Sequence, residues 1–154
     1  MHSVLFVCTA NICRSPMAEG LFLSKLGANS AQWHVESAGT WAVEGMPVAQ
    51  RTQAILTERG IDFNSHRSHL VTGNMLSRFN LILTMEKYQK EALQIEFPSI
   101  AGQIYSMSEM VDAEYDIPDP ICGPQEEYLR TLHEIEHILD HGLAKIVRLA
   151  EHRE

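Results

Sequence analysis

Val4-Leu5-Phe6-Val7-Cys8-Thr9-Ala10-Asn11-Ile12-Cys13-Arg14-Ser15-Pro16 reads as a strand, a tight loop and a helix start. Four consecutive apolar residues suit a strand covered on both faces, as in a parallel sheet. Ser15 stands where a helix cap would, and Pro16 suits a first helical turn. Between strand and helix lies Cys-x5-Arg, with a nucleophile at one end and a permanent cation at the other. A loop in this position aims backbone N–H groups inward and sits at the positive end of a helix dipole, which makes an anion site. The same field favours the thiolate of Cys8 over the thiol. Arg14 supplies a planar fork of donors matched to two phosphate oxygens. Sulfur beneath a bound phosphoryl group implies in-line attack on phosphorus. Asn11 suits a tight nest, because Asn tolerates positive φ better than other non-glycine residues. The competing reading makes Cys8 a small buried hydrophobe at a strand end.

The rest of the chain repeats the strand-then-helix order. A helix over Met17–Leu26 ends at Gly27. The pattern then predicts a strand over Trp33–Ser37 and a helix opened by Pro47 that runs to about Arg59-Gly60. Ile61–Leu70 reads as irregular, with a short helix near Thr72. A strand over Phe79–Thr84, a helix over Glu86–Ile95 and a strand over Gln103–Ser106 follow. Met110–Pro124 is a proline-rich loop, and Gln125 to about Ala150 reads as one long helix. Alternating strands and helices predict an α/β three-layer sandwich around a four-stranded parallel sheet, with the phosphate-binding loop after the first strand. Ligands of such folds sit outside the carboxyl ends of the strands, where Cys8 lies.

The 154 residues suit a single domain over 1–154. A 45% hydrophobic and 21% charged composition is that of an ordinary globular chain. No apolar run is long enough to insert in a membrane, and no secretory leader is visible. Three cysteines without a disulfide framework fit a reducing cytoplasm. A formal charge of −8 argues against nucleic acid as a partner. A monomer or weak dimer is expected.

Expelling a phenolate from phosphorus calls for a proton donor. Asp116-Ile117-Pro118-Asp119-Pro120 offers two carboxyl groups. Asp119 lies between prolines that restrict the backbone on both sides, and it is assigned as general acid, then as general base for water.

Val7–Pro16 closely resembles the signature loop of the low-molecular-weight protein tyrosine phosphatases. The resemblance extends through Glu36-Ser37-Ala38-Gly39-Thr40, Leu81-Ile82-Leu83-Thr84-Met85 and Asp116–Pro120, and so covers nearly the whole chain. It implies a metal-independent protein tyrosine phosphatase with a phosphocysteine intermediate and no cofactor. It implies catalytic roles for Cys8, Arg14 and Asp119, and a phosphate-binding loop of Cys8, Thr9, Ala10, Asn11, Ile12, Cys13, Arg14 and Ser15. Ser15 would donate a hydrogen bond to the Cys8 sulfur. Asn11, Ser37 and His66 would brace the loop, with the His66 ring on the Asn11 side chain. Cys13 would capture an oxidised Cys8 as a disulfide.

Two departures stand out. The family usually has Gly at Ala10, where a positive φ would strain alanine. It usually has aromatics after the Asp-Pro pair, where this chain has Ile121-Cys122-Gly123. Trp41, Ile12 and Ile121 then remain to form the substrate rim. Leu83–Lys87 and Ile117–Pro120 resemble bacterial members paired with tyrosine autokinases of exopolysaccharide export, which implies such a phosphotyrosine protein as substrate.

Two rivals use other residues. His133-Glu134-Ile135-Glu136-His137 matches the zinc-hydrolase pattern H-E-x-x-H, and His141 extends it. At ~100° per residue, those histidines fall roughly 120–200° from the apolar stripe of Tyr128, Leu132, Ile135 and Leu139, and so point to solvent. No metal site is expected. Arsenate reductases share the scaffold but need two further cysteines on a mobile segment, and only Cys122 lies outside the loop.

Overall fold

The computed structural model describes residues 1–151; the last three residues of the expected 1–154 domain lie outside the described residues. Strands β1 (His2–Cys8), β2 (Trp33–Gly39), β3 (Leu81–Thr84) and β4 (Ile104–Ser106) form one parallel sheet in the order β2-β1-β3-β4. Helices α1 (Arg14–Leu26), α2 (Gln50–Glu58), α5 (Gln125–His141) and α6 (Leu143–Ala150) contribute to the core on one face. Helices α3 (Gly73–Leu76) and α4 (Lys87–Glu96) pack on the other. Short 3-10 segments at Gly27–Gln32, Pro98–Gln103 and Met107–Val111 connect the elements.

Strand β1 alternates between the two cores. Val4, Phe6 and Cys8 face α1 and α5, while Leu5 and Val7 face α3 and α4. Both sets are buried, which is why the strand reads as a continuous apolar run. On the α1 side Phe22 stands edge-on to both Phe6 and Trp33. The parallel register places Cys8 opposite Gly39 and Val7 opposite Thr84, so the carboxyl ends of β1, β2 and β3 meet at one rim.

Three local expectations change. The first helix begins at Arg14, ahead of the expected Met17, and its N-cap residue is Cys13 with no side-chain cap. Ser15 is therefore inside the helix, and its hydroxyl turns to the loop instead of capping. The helix expected to open at Pro47 starts at Gln50, because Pro47–Ala49 is extended lead-in; Ala49 N–H donates to the Ile12 carbonyl. The long C-terminal helix is two helices broken at Gly142. A Cβ there would lie 2.7 Å from the Ile138 oxygen and 2.8 Å from Met110 Cβ, so the close approach of the 107–111 segment admits only glycine.

Gly39 is the equivalent close approach at the sheet rim. A Cβ on it would lie 2.4 Å from the Thr9 carbonyl oxygen and 3.0 Å from the Asn11 nitrogen. Gly39→Ala should therefore push the 9–11 backbone outward. The expected cost is about 1–3 kcal/mol, read as a Tm drop on the order of 5 °C.

Candidate active site

Asn11 turns the loop. It is the loop residue with positive φ, at 60°, and Ala10 is not, so the departure from glycine carries no strain. This turn sends the Asn11 N–H back to the Cys8 sulfur at 3.3 Å. The Ser15 hydroxyl stands 3.0 Å from the same sulfur. Cys8 and Ser15 are both buried, so these donors meet the sulfur away from bulk water.

The Asn11 side chain fixes the direction of the hydrogen bonds behind the sulfur. Its amide nitrogen donates to Ser15 Oγ at 2.8 Å and to Ser37 Oγ at 2.9 Å. Its amide oxygen accepts from the backbone N–H of His69 at 2.9 Å. Ser15, already an acceptor from Asn11, has its one proton to give either to the Cys8 sulfur at 3.0 Å or to the more distant Ala38 carbonyl at 3.4 Å. Ser37, likewise an acceptor, donates to Glu19 Oε1 at 2.5 Å. One chain thus runs from Glu19 through Ser37, Asn11 and Ser15 to Cys8. His66 braces the loop at a different atom from the one expected: its Nε2 meets the Asn11 backbone oxygen at 2.9 Å, not the side chain. Burial lowers the His66 pKa below the ordinary imidazole value, which favours the neutral ring in this contact.

Arg14 is 1% exposed and must be paired. Its Nη1 donates to Glu86 Oε1 at 2.5 Å and to the Ile117 carbonyl at 2.7 Å. Its Nη2 donates to Thr9 Oγ1 at 3.2 Å and lies 3.5 Å from Asp119 Oδ2. Thr9 also accepts from Gln89 Nε2 at 3.0 Å, tying the loop to α4. Asp119 is thereby beside the cradle, its other oxygen accepting from the Ile121 N–H at 3.1 Å. Asp116 is occupied elsewhere, accepting from the Lys87 N–H at the start of α4 at 2.8 Å.

The rim residues expected from sequence are accessible. Trp41 is 79% exposed and so is no core residue, Ile121 is exposed, and Ile12 is half-buried. Cys13 is buried in the α1-side core, and burial pushes its thiol up to about 11, so it stays protonated near neutral pH. Cys122 is exposed. His133, His137 and His141 line the outer face of α5, with the His137 and His141 rings 4.3 Å apart. Among the described residues no group of three or more His, Cys, Asp or Glu is placed to hold a metal ion.

A sulfur met by two donors, a buried guanidinium and a carboxyl group beside it is equipped to move a phosphoryl group from oxygen to sulfur and then to water. This is the class of cysteine-loop phosphatases. The profile of the family described as low molecular weight phosphotyrosine protein phosphatase matches residues 3–152. The chain is 34% identical over 146 residues to a probable low molecular weight protein-tyrosine-phosphatase, EpsP, of Ralstonia nicotianae, covering 95% of this chain and 97% of that one. It is 32% identical to a protein-arginine-phosphatase of Geobacillus stearothermophilus, covering 94% and 96%. The solved structure of the low molecular weight protein tyrosine phosphatase from T. tengcongensis superposes with a TM-score of 0.88 at 38% identity, covering 94% of this chain and 99% of that one. The chain belongs to the low molecular weight phosphotyrosine protein phosphatase family. It is a phosphatase enzyme.

Sequence reasoning missed Glu19, Glu86 and Gln89. Glu86 and Gln89 carried a usable signal, since both follow the carboxyl end of a parallel strand. Glu19 carried none, because an acid within a helix reads as solvent-facing. Burial raises its carboxyl to about 7, with the Ser37 hydroxyl pulling the other way. A raised carboxyl contributes stability that is fully present below its unfolded value of about 4.5 and is lost as pH rises through 7. Glu19→Gln should remove this dependence. In urea unfolding at pH 5 and pH 7.5, the variant's stability relative to wild type should rise with pH.

Proposed function

We propose that Cys8 is the nucleophile, Asp119 the general acid and base, and Arg14 with the loop N–H groups the cradle for the phosphoryl group of phosphotyrosine in a protein substrate. The Cys8 thiolate attacks phosphorus, a P–S bond forms, and the P–O bond to the tyrosyl oxygen breaks as Asp119 delivers its proton. Water then attacks the phosphocysteine, Asp119 takes a proton from it, and the P–S bond breaks to release inorganic phosphate. Ser15 donates to the departing sulfur in that second step. The observation that carries this reading is the sulfur held by the Asn11 N–H and the Ser15 hydroxyl, with Asp119 3.5 Å from the Arg14 guanidinium.

The proposed substrate is a bacterial tyrosine autokinase of exopolysaccharide export, on the resemblance of the Leu83–Lys87 and Ile117–Pro120 segments. Hydrolysis of phosphoarginine is the second reading, favoured by the similarity to protein-arginine-phosphatases. The apolar rim of Ile12, Trp41 and Ile121 favours an aromatic ring over a guanidinium.

Four measurements test these assignments. Cys8→Ser should have no turnover. Asp119→Asn should lose about 10²–10⁴-fold on aryl phosphates with poor leaving groups and far less on good ones. Asp116→Asn should stay near wild type; a larger leaving-group effect there would reassign the acid. Paired peptides carrying phosphotyrosine or phosphoarginine should be cleaved with a clear preference for phosphotyrosine, and the reverse order would select the second reading.

A further inference from the structure

A groove of about 310 Å³ opens beside the catalytic loop on the α4 side of the sheet. Its walls include Thr40, Trp41, Leu70, Tyr88, Gln89 and Phe97. Three of these are bonded directly to the first two residues of the loop. The Thr40 N–H donates to the Cys8 carbonyl and the Trp41 N–H to the Thr9 carbonyl, each at 2.9 Å. Gln89 Nε2 donates to Thr9 Oγ1 at 3.0 Å. The walls of the groove are therefore tied to the backbone of the nucleophile's loop.

The lining mixes polar groups with large apolar side chains, and several of the latter are open to solvent. Trp41, Leu70 and Tyr88 are 79%, 41% and 55% exposed. Large apolar side chains gathered in one concave place mark a recognition surface more than they mark chance. A folded chain gains nothing by leaving them in water, and Leu70 and Tyr88 take no part in the phosphoryl chemistry.

We propose that this groove receives an apolar side chain flanking the phosphotyrosine of the protein substrate. This rests on the phosphotyrosine reading above. The occupant follows from continuity: a polypeptide whose phosphotyrosine enters the Cys8 cradle must cross the rim. Each residue of an extended chain advances about 3.3 Å, and Trp41, whose N–H is bonded to Thr9 of the loop, is itself a wall of the groove, so the residues flanking the phosphotyrosine pass over it. Glu96 at the edge of the groove, and the formal charge of −8, disfavour an acidic flank. The surface thus selects among phosphotyrosine sites by their neighbours, while the cradle reads the phosphotyrosine itself.

The test compares kcat/KM on three substrates: a simple aryl phosphate, a phosphotyrosine peptide with leucines on both sides, and the same peptide with serines instead. Wild type should prefer the leucine peptide by about tenfold, the scale of burying one leucine side chain. The double variant Tyr88→Ala/Leu70→Ala should lose that preference while keeping its rate on the aryl phosphate. Both residues are exposed, so the fold should tolerate the change; each single variant should lose part of the preference. Equal wild-type rates on the two peptides would overturn the proposal, as would a preference that survives the double variant. A preference absent because wild type self-associates through this face, seen as a dimer by sedimentation that the double variant abolishes, would also overturn it in favour of a second copy as occupant. Failure on both peptides with aryl phosphate hydrolysis intact would count against the phosphotyrosine reading; two peptides cleaved equally well would count against the groove alone.

Discussion

Two hydrogen-bond donors converge on one sulfur, and most of the architecture serves to keep them there. The Asn11 N–H reaches Cys8 because Asn11 holds positive φ. The Ser15 hydroxyl reaches it because the amide of Asn11 occupies one of its lone pairs and leaves the sulfur as the nearer of the two acceptors for its proton, ahead of the Ala38 carbonyl. Preorganised donors of this kind stabilise negative charge without reorganising during the reaction. The chain's net negative charge would repel a phosphorylated substrate, so the attraction must be local. Arg14, buried and held by Glu86 and the Ile117 carbonyl, supplies the cation and has little freedom to move.

The sheet makes this convergence possible. Parallel register brings Gly39 alongside Cys8, and only a residue without Cβ lets the Thr9–Asn11 backbone come that close. Thr9 receives donors from both Arg14 and Gln89, so the loop is pinned from α1 and from α4. Asn11 is pinned from β2 through Ser37 and from the segment before α3 through the His69 N–H. Loop, sheet and both helical layers therefore share one polar network. A half-satisfied version of it would be costly in a buried setting, which is why its members fit together with their donors and acceptors matched.

The strands and the loop were legible because their signals are local. A buried parallel strand is a continuous apolar run, and Cys-x5-Arg before a Ser-Pro pair needs no distant partner to be read. The family resemblance then supplied Asn11, Ser37 and His66, and the structure brings all three to the loop. Ser15 was read as a cap because serine before proline commonly is one; here the cap lies two residues earlier, at Cys13, and the hydroxyl has a better partner in the sulfur. His66 was aimed at the wrong atom of the right residue, since sequence says nothing of ring orientation. Glu19 and the break at Gly142 depend on contacts made by other elements, Ser37 from β2 and Met110 from the preceding 3-10 segment. A lone glycine in a helical pattern is ordinarily tolerated, so nothing local announced the break. The groove beside Tyr88 exists only because the loop after β2 and the face of α4 are brought together by the sheet.

All of this assigns the chemistry to one atom, and that atom can be watched directly. In rapid mixing with an aryl phosphate, release of the phenol should show a burst of about one equivalent per enzyme wherever breakdown of the intermediate is the slower step. Acid quenching within the burst should place a phosphoryl group on Cys8 in the digested protein. Turnover at the full rate with no sulfur-bound phosphate at any quench time, or with the phosphoryl group found on another residue, would contradict the account.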